Sequence, residues 1–171
     1  MFRFLAIVSI VMMLVSPASS AAPPSQDNWW QTMDRYTGKW RTKSKGYREP
    51  TQEFQNEWVE PRKLQHYSSQ SIGNAPRSNM TGFVRWSKDN DRIEWSEVTD
   101  SELDGRQMST GFCINSTPKT VTWIVSVYGE EGFVRQFSMV DTFDEGGLTR
   151  SITLLRGEDL ERQTTSWIPV E

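Results

Sequence analysis

The chain has 171 residues and a formal net charge of −3, with one histidine and one cysteine. A mildly acidic chain offers no electrostatic footprint for nucleic acid. A single thiol excludes an intrachain disulfide, and one His with one Cys cannot furnish a zinc cage of three or four nitrogen and sulfur ligands, so no metal site is expected.

In chain order, the first segment reads as a targeting signal. Met1-Phe2-Arg3-Phe4 carries one positive charge, an apolar run follows from Leu5 to Val15, Ser16-Pro17 breaks it, and Ser19-Ser20-Ala21-Ala22 supplies small residues. That layout predicts a cleaved secretory signal peptide over 1–22 and a secreted or periplasmic product. The apolar run is about half the ~20 residues of a membrane span, so no transmembrane helix is expected. Residues 23–37 read as a leader followed by a short helix from Asn28 to Tyr36, with Asp27 or Asn28 as N-cap and Gly38 just past the end.

From residue 38 to 171 no long stretch has helical periodicity. Short segments rich in Val, Ile, Thr and aromatic residues alternate with Gly, Pro, Asn and Asp. Ten strands are predicted, over 38–47, 52–60, 63–72, 79–87, 91–98, 106–114, 119–128, 133–142, 147–155 and 160–168. Lys88-Asp89-Asn90-Asp91, Asp104-Gly105, Tyr128 to Gly132 and Asp144 to Gly147 are reversal signals. Ten strands with short connections predict a single antiparallel up-and-down β-barrel of about 8–10 strands, closed to hide its edges.

The period of two assigns faces. Lys39, Arg41, Lys43 and Lys45 share one face of the first strand, which turns Trp40 inward; Val121, Trp123, Val125 and Val127 share a face, as do Met108, Thr110, Phe112 and Ile114. The segment Tyr36-Thr37-Gly38-Lys39-Trp40, a Gly-x-Trp after a short helix, resembles the N-terminal signature of the lipocalin-like (calycin) barrels. The resemblance implies that the helix plugs one end, that Gly38 allows the tight entry, and that Trp40 packs in the floor under an arginine from a late strand, Arg150 or Arg156. Gly82 to Trp95, an aromatic strand, a polar turn and a returning aromatic strand, resembles a group of exported bacterial lipocalin-like domains of unknown function. Heme-binding barrels resembling nitrobindin begin with Gly-x-Trp-x-Gly-x-Gly and use a histidine near the C-terminus; here Gly46 is the next glycine and 160–168 holds no His, so no cofactor is expected. His66 is read as structural or at the surface.

Catalytic signals are thin. Cys113 has no partner base in sequence reach, and Glu94/Glu97 and Asp141/Asp144 are three apart, which on a strand turns them to opposite faces. No catalytic residue is assigned. The richer pattern is cationic: Arg135 alternates with Phe133, Phe137 and Met139, and Arg150 with Leu148, Ile152 and Leu154. Buried guanidinium groups require anionic or carbonyl partners. One reading makes Arg135 and Arg150 an interior pair that anchors the acidic head of a small hydrophobic or carboxylate ligand, with Trp58, Trp95, Phe112 and Trp123 as apolar walls. The other has one arginine covering Trp40 and the other bridging to Asp141 or Glu161. The eight tryptophans serve either as core filler or as ligand-stacking surfaces, and Asn79-Met80-Thr81 and Asn115-Ser116-Thr117 fit the glycosylation sequon. Three functions stay open: a small-ligand binding barrel, a filled barrel acting as a structural or protein-interaction module, and an enzyme, for which no base, nucleophile or metal set is identified.

Overall fold

The computed structural model describes residues 29–43, 50–72, 75–102, 105–157 and 162–170. The expected signal peptide, the leader with its N-cap, and Lys45 lie outside them. A short helix, α1 (Trp29–Met33), runs into a 3-10 turn (Asp34–Tyr36). Ten strands follow: β1 (Gly38–Thr42), β2 (Pro50–Glu60), β3 (Lys63–Ile72), β4 (Ala75–Ser87), β5 (Arg92–Ser101), β6 (Gly105–Ser116), β7 (Thr120–Gly129), β8 (Gly132–Phe143), β9 (Leu148–Arg156) and β10 (Gln163–Pro169). Each pairs antiparallel with its neighbours in sequence, and β10 closes on β1. The closure is short: Trp40, Arg41 and Thr42 lie opposite Pro169, Ile168 and Trp167.

All ten predicted strands are present, and the differences lie at their ends. β1 stops at Thr42 where 47 was expected, with 44–49 outside the described residues. β4 starts at Ala75 instead of 79; Pro76 is admitted there because it sits beside a register shift at Gln70/Ser71, where a missing N–H costs little. Gly38 has φ +97°, a conformation costly for residues with a Cβ, and turns the chain from the helical segment into β1.

Register carries the inward face round the ring. Trp40 lies opposite Phe54, Phe54 opposite Ser68, Ser68 opposite Met80 and Met80 opposite Thr99. Trp95 lies opposite Gly111, so β6 turns Gly111 and Cys113 inward and Met108, Thr110, Phe112 and Ile114 outward. These four do share a face, as the alternation indicated, but it is the outer one. Lys39 and Arg41 are exposed on the outer face of β1, as expected, and Lys43 is exposed just past its end.

The helix packs into one end of the bore. Met33 and Tyr36 are buried there with Leu64, Ile93, Val121, Met139, Phe143 and Leu148. The Ser116 hydroxyl bonds Thr32, the Trp58 indole donates to Asp34 at 2.8 Å, and the Arg35 guanidinium lies over Phe143 and donates to the Pro118 carbonyl. Above this plug a chain of ring contacts crosses the bore, from Trp123 through Trp95, His66 and Phe54 to Trp167, at centroid separations of 5.8–6.3 Å.

Beyond the aromatic layer the inward side chains change character. Met80, Thr99, Gln107, Phe137, Ile152 and Leu154 face in yet remain half-buried. Solvent therefore enters the bore from the end opposite the helix. The barrel is filled in one half and cup-like in the other.

Gly82 shows how tightly the wall is drawn. A Cβ there would fall 2.3 Å from the Ser96 carbonyl oxygen and 2.9 Å from Glu97 Cα. Gly82→Ala is expected to cost about 1–3 kcal/mol, read as a lower urea midpoint at unchanged m-value.

Candidate functional site

The site is built around Tyr36, which the 3-10 turn inserts into the plugged end of the bore. Its phenol donates to Asp141 Oδ2 at 2.7 Å and accepts the Trp123 indole N–H at 3.2 Å. Asp141 is fully buried on β8, and Arg150, directly opposite on β9, grips it with two bonds, Nε to Oδ1 at 2.7 Å and Nη2 to Oδ2 at 2.9 Å. Burial opposes the charge on Arg150, but the Asp141 carboxylate outweighs it and raises the guanidinium pKa above its usual value. Burial and the adjacent carboxylate likewise hold the phenol protonated, far above the normal tyrosine range. Arg150 also lies over the Trp167 ring, 5.4 Å from its centroid.

The carbonyl of Tyr36 organises a second branch. It accepts from Asn56 Nδ2 at 2.8 Å and from the Trp40 indole at 3.2 Å. Because the Asn56 amide nitrogen is committed to that carbonyl, its oxygen faces His66 Nδ1, 2.6 Å away. An oxygen acceptor there requires a proton on Nδ1, so the lone pair of the neutral ring sits on Nε2. Nε2 faces Glu97 Oε2 at 3.4 Å. His66 lies on β3 and Glu97 on β5, with Gly82 of β4 between them in register; the missing side chain at Gly82 opens the path.

Charge is disfavoured on both partners. Burial, followed by the nearby Arg150 cation, lowers the His66 pKa to about 3. Burial raises Glu97 to about 7, with Arg150 and the Thr99 hydroxyl pulling partly the other way. The 3.4 Å approach is thus a neutral contact, an acid O–H aimed at an imidazole lone pair, and no ion pair forms below neutral pH. Beside it lies a cavity of about 30 Å³ bordered by Tyr36, Asn56, His66, Trp95, Trp123 and Arg150. That is room for a water molecule or two and far below the ~300 Å³ of an ordinary small-molecule site. The Trp95 indole N–H is buried without a partner among the described residues.

The anchor expected from the sequence is divided by the structure. Arg150, Trp95 and Trp123 come together around the small cavity. Arg135 does not join them: it lies six residues from Asp141 on β8, about 20 Å along the strand, near the open mouth. There is no interior Arg135/Arg150 pair. Trp58 sits under the helix, held by Asp34, and Phe112 is on the outer wall beneath the Arg92 guanidinium, 4.2 Å from its ring centroid. Neither lines the bore above the plug. Arg150 makes the expected bridge to Asp141, but the ring it covers is Trp167; Trp40 instead stacks on Phe54. Arg156 lies over Phe133.

Two participants escaped the sequence reading, whereas His66, read as structural or at the surface, is half-buried in a structural role. Tyr36 was taken only as part of the Gly-x-Trp segment. Glu97 was set aside because it faces away from Glu94, which it does; its partner is on another strand. Cys113 is buried facing inward, its thiol pushed up to about 12 by burial, which leaves it protonated. Among the described residues no group of three His, Cys, Asp or Glu side chains gathers as a metal site.

Two outcomes test this geometry. Arg150→Met leaves Asp141 buried without its cation and is expected to cost about 3–5 kcal/mol in urea titrations. For pH, the unfolded chain releases the Glu97 proton near 4.5 whereas the folded chain holds it to about 7, so Glu97 lowers stability progressively as pH rises through that interval. His66 acts in the opposite sense, lowering stability as pH falls from 6.5 to about 3. Between about 4.5 and 6.5 each state of the pair binds one proton, and the two slopes cancel. Glu97→Gln removes the carboxyl contribution alone, so mutant stability relative to wild type should climb by about 3 kcal/mol from pH 4.5 to 7 and then level off. A flat difference profile rejects the protonated-acid assignment.

No family model matches the chain, and no curated protein matches it. Among solved structures it is similar to the crystal structure of Rv2717c from M. tuberculosis, with a TM-score of 0.56 and 14% sequence identity, covering 82% of this chain and 96% of that one. That likeness, at such low identity, extends to the barrel fold alone.

Proposed function

We propose that the protein is an exported carrier or binder of a small amphipathic ligand, held in the open half of the barrel. The observation that carries this reading is the contrast along the bore: inward side chains at the helix end are sealed, whereas Met80, Gln107, Phe137, Ile152 and Leu154 face inward and still meet solvent. A barrel of about ten strands is wide enough to hold one small ligand where side chains do not fill it. Export rests on the charged, apolar and small-residue succession of residues 1–22.

A second reading, a filled barrel used as a structural or protein-interaction module, draws on a different observation. The cavity beneath the aromatic layer is only about 30 Å³, too small for a hydrophobic ligand. The two readings differ in whether the upper bore is occupied.

Native mass spectrometry of the protein recovered from its own secretory compartment separates them. The carrier reading expects a reproducible added mass that is lost on denaturation, and expects Leu154→Trp, which fills the cup, to abolish it while the urea midpoint stays near wild type. A bare polypeptide mass that persists after exposure to lipid extract and heme supports the filled barrel. Cleavage predicts an N-terminus at residue 22 or 23 in the same spectra.

A further inference from the structure

The open half of the bore is divided by chemistry. Its inward positions on β3, β4 and β6 include Gln70, Ser78, Gln107 and Ser109, whose side chains have no hydrogen-bond partner among the described residues. The inward positions on β7, β8 and β9 are Val127, Phe137, Ile152 and Leu154, all hydrocarbon, with Arg135 added at the mouth end of β8. In a closed ring of ten, β3 stands across from β8 and β4 across from β9. The polar positions of β3 and β4, Met80 apart, therefore face the hydrocarbon of β8 and β9 across the cup, and β6 carries the polar surface round to the edge of β7.

A ligand must match both walls. A plain alkyl chain would desolvate free hydroxyls and amides without replacing their hydrogen bonds, and a sugar would leave the hydrocarbon wall wet. A molecule polar along one edge and apolar along the other satisfies both at once.

Charge adds orientation. Arg150 is saturated by Asp141, so the floor has no cation to spare. Arg135 lies opposite Val127 on the inward face of β8, three residues from the strand start, half-buried, and with no ion pair among the described residues. A half-buried guanidinium without a carboxylate is a receptor for one, and its planar fork suits two-point binding.

Building on the carrier reading above, we propose that the cup takes a facially amphipathic monoanion: a rigid, hydroxylated polycyclic or terpenoid carboxylate. Its hydroxyl-bearing edge lies along β3–β6 and its hydrocarbon face along β7–β9. Its carboxylate sits at the mouth on Arg135.

Calorimetric titration of the full-length folded protein with three probes tests this: cholate, the uncharged alcohol obtained by reducing the cholate carboxyl, and palmitate. Cholate is expected to bind about tenfold or more tighter than palmitate. Arg135→Met should weaken cholate by about tenfold or more and leave the alcohol within about twofold, with Arg135→Lys recovering much of the loss. Ser109→Val should weaken cholate and the alcohol alike by several-fold, about the value of one hydrogen bond. Circular dichroism and urea midpoints confirm folding of each variant, and Arg135→Gln replaces Arg135→Met if the latter does not fold. Palmitate binding as tightly as cholate overturns the facial assignment, and cholate affinity unchanged in the Arg135 variants overturns the rim anchor. Binding of palmitate alone removes this proposal while leaving the carrier reading in place. Failure of all three probes, with a bare native mass, removes both.

Discussion

Tyr36 is the residue through which the plug and the barrel become one structure. Its hydroxyl is held by Asp141 and Trp123, and its carbonyl receives Asn56 and Trp40. The first branch continues into Arg150, so the helical segment is tied by charge-assisted bonds to β8 and β9. The second continues through Asn56 to His66 and Glu97, so one carbonyl oxygen dictates an amide orientation, that amide a tautomer, and that tautomer the position of an acid proton. In a low-dielectric interior such a network has value only if every member is satisfied. Here the fully buried carboxylate meets a cation, and the second carboxyl avoids charge by keeping its proton.

This network also decides which half of the bore is filled. By filling the plugged end with paired polar groups and aromatic rings, it leaves a cavity of about 30 Å³ below the aromatic layer and confines usable space to the other half of the bore. Arg150, the better buried of the two candidate arginines, belongs to the architecture. Arg135, with no partner among the described residues, belongs to the mouth. The structural bridge accounts for Arg150, and the anchor reading is proposed for Arg135 alone.

The fold was largely legible because β-structure leaves a local record. Alternation in Val121 to Val127 and in Lys39 to Lys43, with turn residues such as Asp144 to Gly147, marks strands and reversals without any tertiary information. The short helix followed from its residues, and its role as a plug from the resemblance of Tyr36 to Trp40 to the calycin entry segment. The start of β4 was not legible, since a proline such as Pro76 enters a strand only where a bulge at the sheet rim admits it. Faces were harder. Alternation shows that Met108, Thr110, Phe112 and Ile114 point one way but not which way, and only the pairing of Trp95 with Gly111 turned them outward.

The sequence by itself determined the class of the protein, ten antiparallel strands with a helical cap, because periodicity, turn chemistry and the absence of helical crossovers are properties of short segments. It also placed Asp141 within the set of partners an interior arginine would need. Tertiary structure alone decided that His66 meets Glu97 across a glycine on the intervening strand, that Arg135 stands about 20 Å along β8 from Asp141 and its partner Arg150, and that inward side chains are sealed at one end of the bore and half-buried at the other. The physical reason is register. Sliding one strand past another by a single residue exchanges inside for outside, and register is set by the closure of the whole ring, which no local stretch of sequence contains.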